Sequence, residues 1–222
     1  MLVKNYMNGQ VPVVSLHDTA KTAIKKFEES HLDQLPVVDG ETFQGLLLRS
    51  TVESVLDPKA KLDGIRTEGR TLNITPDTHI LEAIKNASEN KLNVLGVVDA
   101  VTQHYVGAVT KHDLEDSVAE TYGIRSNGSV LVLSILERDY SLHELARIIE
   151  SNGVKILAMF SDILENDPYN LLITFKLNLP DITRVIAALQ RYKYNIVYTF
   201  HKEEFLSKEK ERLEHLLRFL EI

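Results

Sequence analysis

The run Gly107-Ala108-Val109-Thr110-Lys111-His112-Asp113-Leu114 has the spacing in this chain that points most directly to chemistry. An apolar, strand-like stretch ends at Thr110 and a helical pattern follows, so Thr110 and Asp113 project from a first helical turn. A carboxylate in that place can accept two hydrogen bonds from the cis-diol of a ribose. The Thr hydroxyl, the free amides and the positive end of the helix suit the ribose or its first phosphate. Lys111 and His112 are the nearest cations for that phosphate. The same Thr-x-x-Asp spacing also forms an ordinary capping pair, in which the two side chains satisfy orphan amides. Spacing alone leaves both readings open.

No second chemistry is written in the residues. The chain has no cysteine, which removes disulfides, thiolate metal sites and thiol nucleophiles together. Its eight histidines never fall at the short helical pair spacing of a zinc site. Nucleophile elbows, phosphate-loop lysines and paired catalytic acids are also missing from the pattern, so we expect a non-enzymatic protein without a metal or resident cofactor.

The elements around this turn are duplicated. Residues 14–39 align with 74–99 at an offset of 60 without a gap, with nine identities in 26 positions, too many for chance. Among them are Ala23/Ala83, Ile24/Ile84, Leu35/Leu95 and the Val-Val-Asp endings at Asp39 and Asp99. Beyond Asp99 two extra residues lengthen a turn, and the match resumes at Phe43/Tyr105, Gly45/Gly107 and Glu53/Glu115. Each copy reads strand, helix, strand, strand, helix. The first copy has strands at Val11–Leu16, Leu35–Val38 and Phe43–Leu48. The second has them at Leu72–Thr75, Val94–Val98 and Tyr105–Thr110. Asp18 and Asp77 are placed to cap the longer helices, and the short final helices begin near Ser50 and Thr110, the former with a Ser50/Glu53 capping pair. One copy has too little core to stand alone, whereas two can bury a shared sheet face.

From the turn dipeptide Asn127-Gly128 the pattern changes. Strand Ser129–Leu136, helix Leu142–Ser151, strand Val154–Phe160, a turn at Asp167-Pro168, strand Leu171–Leu177, a helix from Pro180 to Leu189 and strand Asn195–Phe200 give the split βαβ, ferredoxin-like order. Phe205–Ile222 reads as a charged helix with Leu206, Leu213, Leu217 and Leu220 on one stripe. The fold class is therefore α+β, with units at 1–60, 61–123 and 128–204 and a terminal helix at 205–222.

The duplicated half, over about residues 11–118, resembles tandem CBS domains (Bateman modules). The likeness rests on the repeated order, Pro36-Val37-Val38-Asp39, Gly96-Val97-Val98-Asp99 and the Gly-x-x-Thr-x-x-Asp ending. It implies an adenosine-containing regulatory ligand (AMP, ADP, ATP or a related compound) with ribose contacts from Thr110 and Asp113. It also implies an adenine pocket near Leu72, Asn73, Ile74, Leu95 and Gly96. In the first copy Leu48 and Thr51 replace Thr and Asp, so one competent cleft and one degenerate or differently used cleft are expected. Residues 129–201 resemble an ACT-type regulatory domain, although the turn Glu137–Leu142 lacks the glycine at which such domains bind amino acids. The order of the two parts resembles bacterial acetoin-utilisation regulatory proteins. These likenesses imply a homodimer that signals to a regulated protein partner, or alternatively an oligomerisation module with empty clefts.

Charge and length narrow the classes further. Twenty-five basic against 32 acidic residues give a net charge of −7, which disfavours nucleic acid and anionic lipid as partners. No apolar run is long enough to span a bilayer, and the first residues lack a secretion-signal layout, so we expect a cytoplasmic protein. At 222 residues the chain can bury roughly 70% of its unfolded surface.

Overall fold

The computed structural model describes residues 1–7, 9–164 and 167–201. The expected helix at 205–222 lies outside the described residues. The chain forms two compact units that divide after Thr121.

The first unit contains both repeats. In the first, helix α1 (Ala20–Ser30) precedes the antiparallel hairpin β1 (Gln34–Asp39) and β2 (Thr42–Leu48), and helix α2 (Arg49–Glu53) follows. In the second, β3 (Asn73–Ile74), α3 (Ile80–Glu89), β4 (Val94–Val98), β5 (Tyr105–Thr110) and α4 (Lys111–Thr121) take the same order. Strand β3 pairs in parallel with β4, which pairs antiparallel with β5. The repeats match in detail. The register shifts at Val37/Val38 in one hairpin and at Val97/Val98 in the other.

The expected first strands shrink. Val11–Leu16 makes only the bridge Val14–Val37, and Leu72–Thr75 only the pairs Asn73–Gly96 and Ile74–Val97. A strand that joins a sheet edge through one parallel neighbour is fixed by tertiary register, which local apolar content does not encode. The caps also move. Thr19 Oγ1, not Asp18, accepts from the Thr22 amide, and His79 Nδ1, not Asp77, accepts from the Leu81 amide. The Ser50/Glu53 pair does not form a cap, because α2 starts one residue earlier and Glu53 pairs with Arg49 Nε at 2.8 Å.

An exchange of opening turns locks the repeats together. The short 3₁₀ turn Val3–Asn5, at the head of the first repeat, packs on the second: the Val3 amide donates to Thr78 O, and Ile80 N to Met1 O. The matching turn Leu62–Gly64 packs on the first repeat: Leu62 N donates to Asp18 O, and Ala20 N to Ala60 O. Val3 and Leu62 are both buried at the centre of these contacts. Each repeat thus completes the core of the other.

The second unit has β6 (Ser129–Leu136), α5 (Leu142–Ser151), β7 (Ile156–Leu164), β8 (Asp167–Leu177), α6 (Thr183–Arg191) and β9 (Asn195–Phe200). Its sheet is antiparallel in the order β7-β8-β6-β9, the ferredoxin-like arrangement. Alternate residues Leu131, Leu133, Ile173 and Phe175 meet Leu145, Ile149, Val185 and Leu189 of the helices. Ser141 caps α5 by accepting from the Glu144 amide, and Gly153 adopts a positive φ of 77° just past its end. Asp167-Pro168, expected as a turn, instead opens β8. Helix α6 begins at Thr183, three residues later than Pro180 suggested.

Candidate functional site

Strand β5 delivers Thr110, 8% exposed, to the mouth of α4, and Asp113 follows in the first helical turn. The two side chains close on each other. Asp113 Oδ2 accepts from the Thr110 amide at 2.8 Å and from the Thr110 hydroxyl at 2.6 Å. The Asp113 amide in turn donates to Thr110 Oγ1 at 3.1 Å. This is the capping geometry, and it commits one carboxylate oxygen to the helix start.

The neighbours of this pair separate rather than converge. Asp113 lines a cleft of about 380 Å³ with Tyr6, Met7, Gln10, Asp116 and Glu120. Lys111 lines a different cavity, between α3 and α4, and lies 3.9 Å from Glu115. His112 is exposed and leans toward Asp116 at 3.6 Å. The cleft that Asp113 faces is therefore acid-lined, and its wall is supplied by the N-terminal segment of the first repeat. At Gly107, where φ is 155°, a Cβ would lie 2.6 Å from Met7 Cε, the movable end of that side chain, so the segment packs directly over the strand.

The residues expected around an adenine ring are core residues. Leu95 and Ile74 are buried, Leu72 is half-buried against the same cluster, and Asn73 pairs with Gly96 along β3 and β4. Gly96 itself faces the ring of Phe43 from the first repeat. Its lack of a side chain admits a neighbouring ring, where a ligand had been expected.

In the first repeat the equivalent turn carries Leu48 and Thr51. Beside it lies a cleft of about 510 Å³ whose lining includes Asp33, Gln34, Arg49, Glu53 and Asn93. Ionic partners already engage Arg49: Glu53 holds its guanidinium and raises its pKa further. Gln34 was not singled out by the sequence, yet it is 7% exposed and its Oε1 accepts from the amides of Asn93 at 2.7 Å and Val94 at 3.3 Å. Position 94, its counterpart, is Val, and this break in the repeat was the available signal. The Tyr6–Gln10 segment left no such signal, since it precedes the aligned stretch. Among the described residues no group of His, Asp and Glu could hold a metal ion, and no helix is long and apolar enough to cross a membrane.

Residues 3–56 match the CBS domain family. Proteins with a pair of CBS domains are generally regulatory and not catalytic. Among solved structures, the chain is similar to a CBS domain pair/ACT domain protein from Thermotoga maritima, with 20% identity and a TM-score of 0.49 over 54% of this chain and 98% of that one. It is also similar to the CBS-pair protein CBSX2 from Arabidopsis thaliana, at 19% identity and a TM-score of 0.48 over 57% and 98% of the two chains. A structure of CBSX2 in complex with AMP matches at 20% identity and a TM-score of 0.46, over 54% and 96%.

Proposed function

We propose that the first unit is a regulatory module that takes an adenosine-containing ligand at the second repeat, with the ribose held by Thr110 and Asp113. The observation that carries this reading is the asymmetry of the repeats. Thr110 and Asp113 meet at the strand-to-helix turn of the second copy, where the first has Leu48 and Thr51. Residues 3–56, the first repeat, match the CBS domain family, and the ligand class follows from the resemblance of both repeats to CBS domains. Binding exchanges the hydroxyl bond from Thr110 to Asp113 for bonds from the ribose diol, at a turn the two repeats already hold. Asp116 and Glu120 line the same cleft, and the ligand class is AMP, ADP, ATP or a related adenosyl compound. The second unit, read as ACT-like from its strand order, passes the bound state to a regulated protein in the cytoplasm or across a homodimer.

A second reading has its own observation. Phe43 fills the space at Gly96, and Met7 the space at Gly107, so the module is a scaffold with self-filled clefts. Calorimetric titration of the full chain with adenosine, AMP, ATP and S-adenosylmethionine separates the two. The ligand reading expects saturable heat for at least one, and at least a tenfold loss with Asp113→Asn, which keeps an acceptor for the cap. Absence of heat from all four leaves the scaffold, and equal heat from wild type and variant removes the ribose assignment to Asp113.

A further inference from the structure

The duplicated sequence gives an internal control for the cavity between α3 and α4. At the offset of 60, Phe27 of α1 corresponds to Ala87 of α3. Phe27 is fully buried and fills the first repeat's core against Val52 of α2. Ala87 is buried too, but its side chain ends at Cβ. A cavity of about 600 Å³ opens beside it, floored by Ile84, Ala87, Leu92, Leu114 and Val118. That volume lies within the roughly 300–1,000 Å³ range of small-molecule sites.

Charge at the mouth specifies what enters. Lys91 sits just past the end of α3 at a φ of 54°, on the rim of the cavity. Among the described residues its ammonium has no ion pair or side-chain hydrogen bond. Lys111 stands on the same rim, with Glu115 at 3.9 Å and both side chains more than 60% exposed. Such a pair is weak, and an incoming anion can replace it. Two ammonium groups over an apolar floor match a molecule with an aliphatic or aromatic body and one carboxylate.

We propose that the α3–α4 cavity of the second repeat binds a small amphipathic carboxylate, with its body on Ala87 and Leu114 and its head between Lys91 and Lys111. The site is independent of the adenosyl reading, because Asp113 faces a different cleft. In the first repeat the equivalent position carries the buried phenyl ring of Phe27.

The test uses the full chain, decanoate and the uncharged decanol in calorimetric titrations. Decanoate is expected to bind one per chain below millimolar concentration. Lys91→Gln together with Lys111→Gln should weaken it at least about tenfold, the effect of losing one charge-assisted contact, while leaving decanol unchanged. Ala87→Phe, which copies the first repeat, should abolish binding of both. Ala87→Leu serves as the smaller block where thermal unfolding shows Ala87→Phe to be misfolded. The proposal is overturned if decanoate fails to bind the wild type, or binds the folded position-87 variant as well as the wild type. It is equally overturned if sedimentation shows that the wild type buries this cavity in a dimer that decanoate does not disturb.

Discussion

The ring of Phe43, from the first repeat, lies so close to Gly96 of the second that a Cβ at position 96 would stand 2.5 Å from its Cε2. Phe43 is 5% exposed and stacks at 6.1 Å on Tyr105, so the ring has little room to retreat. We expect Gly96→Ala to destabilise the chain by about 1–3 kcal/mol, the usual cost of overpacking a fitted core. Phe43→Leu in the same chain should recover part of that loss, giving a coupling of about 0.5–3 kcal/mol between the two sites. Urea unfolding of the two single variants and the double variant measures it. Strict additivity would mean that the ring does not set the limit at Gly96.

Gln34 makes the complementary polar contact between repeats. Its buried Oε1 takes two amides, Asn93 and Val94, from the far side of the internal repeat. Gln34→Leu keeps the bulk and leaves both donors without this acceptor, at an expected cost of about 1–3 kcal/mol. A loss below about 0.5 kcal/mol in urea unfolding would show that water replaces the amide oxygen, as at an ordinary surface position.

How much of this could be read from the residues differs between elements. Hairpin strands Val94–Val98 and Tyr105–Thr110, strand Ser129–Leu136 and helix Leu142–Ser151 stand where apolar periodicity placed them, because each has a local pattern and a turn to bound it. The opening turn Val3–Asn5 was invisible, since what defines it is Thr78 O and Pro76 O some 70 residues away. The pairing of Thr110 with Asp113 was legible in the spacing, and their hydrogen bonds follow the capping alternative. The acid wall of the adjacent cleft was not found. Asp116 and Glu120 lie on the same helix as Asp113, but the segment that completes the cleft comes from the other end of the unit. Gly96 has the same cause: its value lies in the space left for a ring contributed by the other repeat.

Tyr105 gives an alkaline signature. Burial raises its phenol from 10.0 to about 12. The folded state binds this proton more tightly than the unfolded state, so its contribution is complete below pH 10 and is lost as pH rises toward 12. By linkage, that rise corresponds to about 3 kcal/mol at the far end of that window. Tyrosinate absorbance at 295 nm should show late-titrating phenol from Tyr105 and, less strongly raised, Tyr194, and the latest part should disappear in Tyr105→Phe. Stability measured from pH 9 to 12 should fall less steeply in that variant. An unchanged titration curve would assign the late phenol to another residue.

Asp18 gives the opposite signature, in acid. Desolvation raises its carboxyl, but the hydrogen bond from Lys26, the Ser15 amide and the charges of Lys26 and Lys61 outweigh it and lower the pKa below 3.8. The geometry is short: Lys26 Nζ lies 2.8 Å from Asp18 Oδ2 and also 2.8 Å from Val13 O, with both charged side chains under 30% exposed. A depressed folded pKa contributes stability above the unfolded pKa and loses it as pH falls through the folded value. Asp18→Asn should therefore cost about 1.5–3 kcal/mol at pH 7, the range for a hydrogen bond to a charged group. The gap between wild type and variant should close as pH drops below 3.8, since the protonated wild-type carboxyl then resembles the amide. Because Lys26 anchors the segment before α1 through Val13 O, Lys26→Met should lower stability too, but with a difference from wild type that survives at low pH. Urea midpoints for the three proteins at pH 7 and pH 3 decide the matter, and a pH-independent loss in Asp18→Asn would place its effect in packing and remove the ionic account.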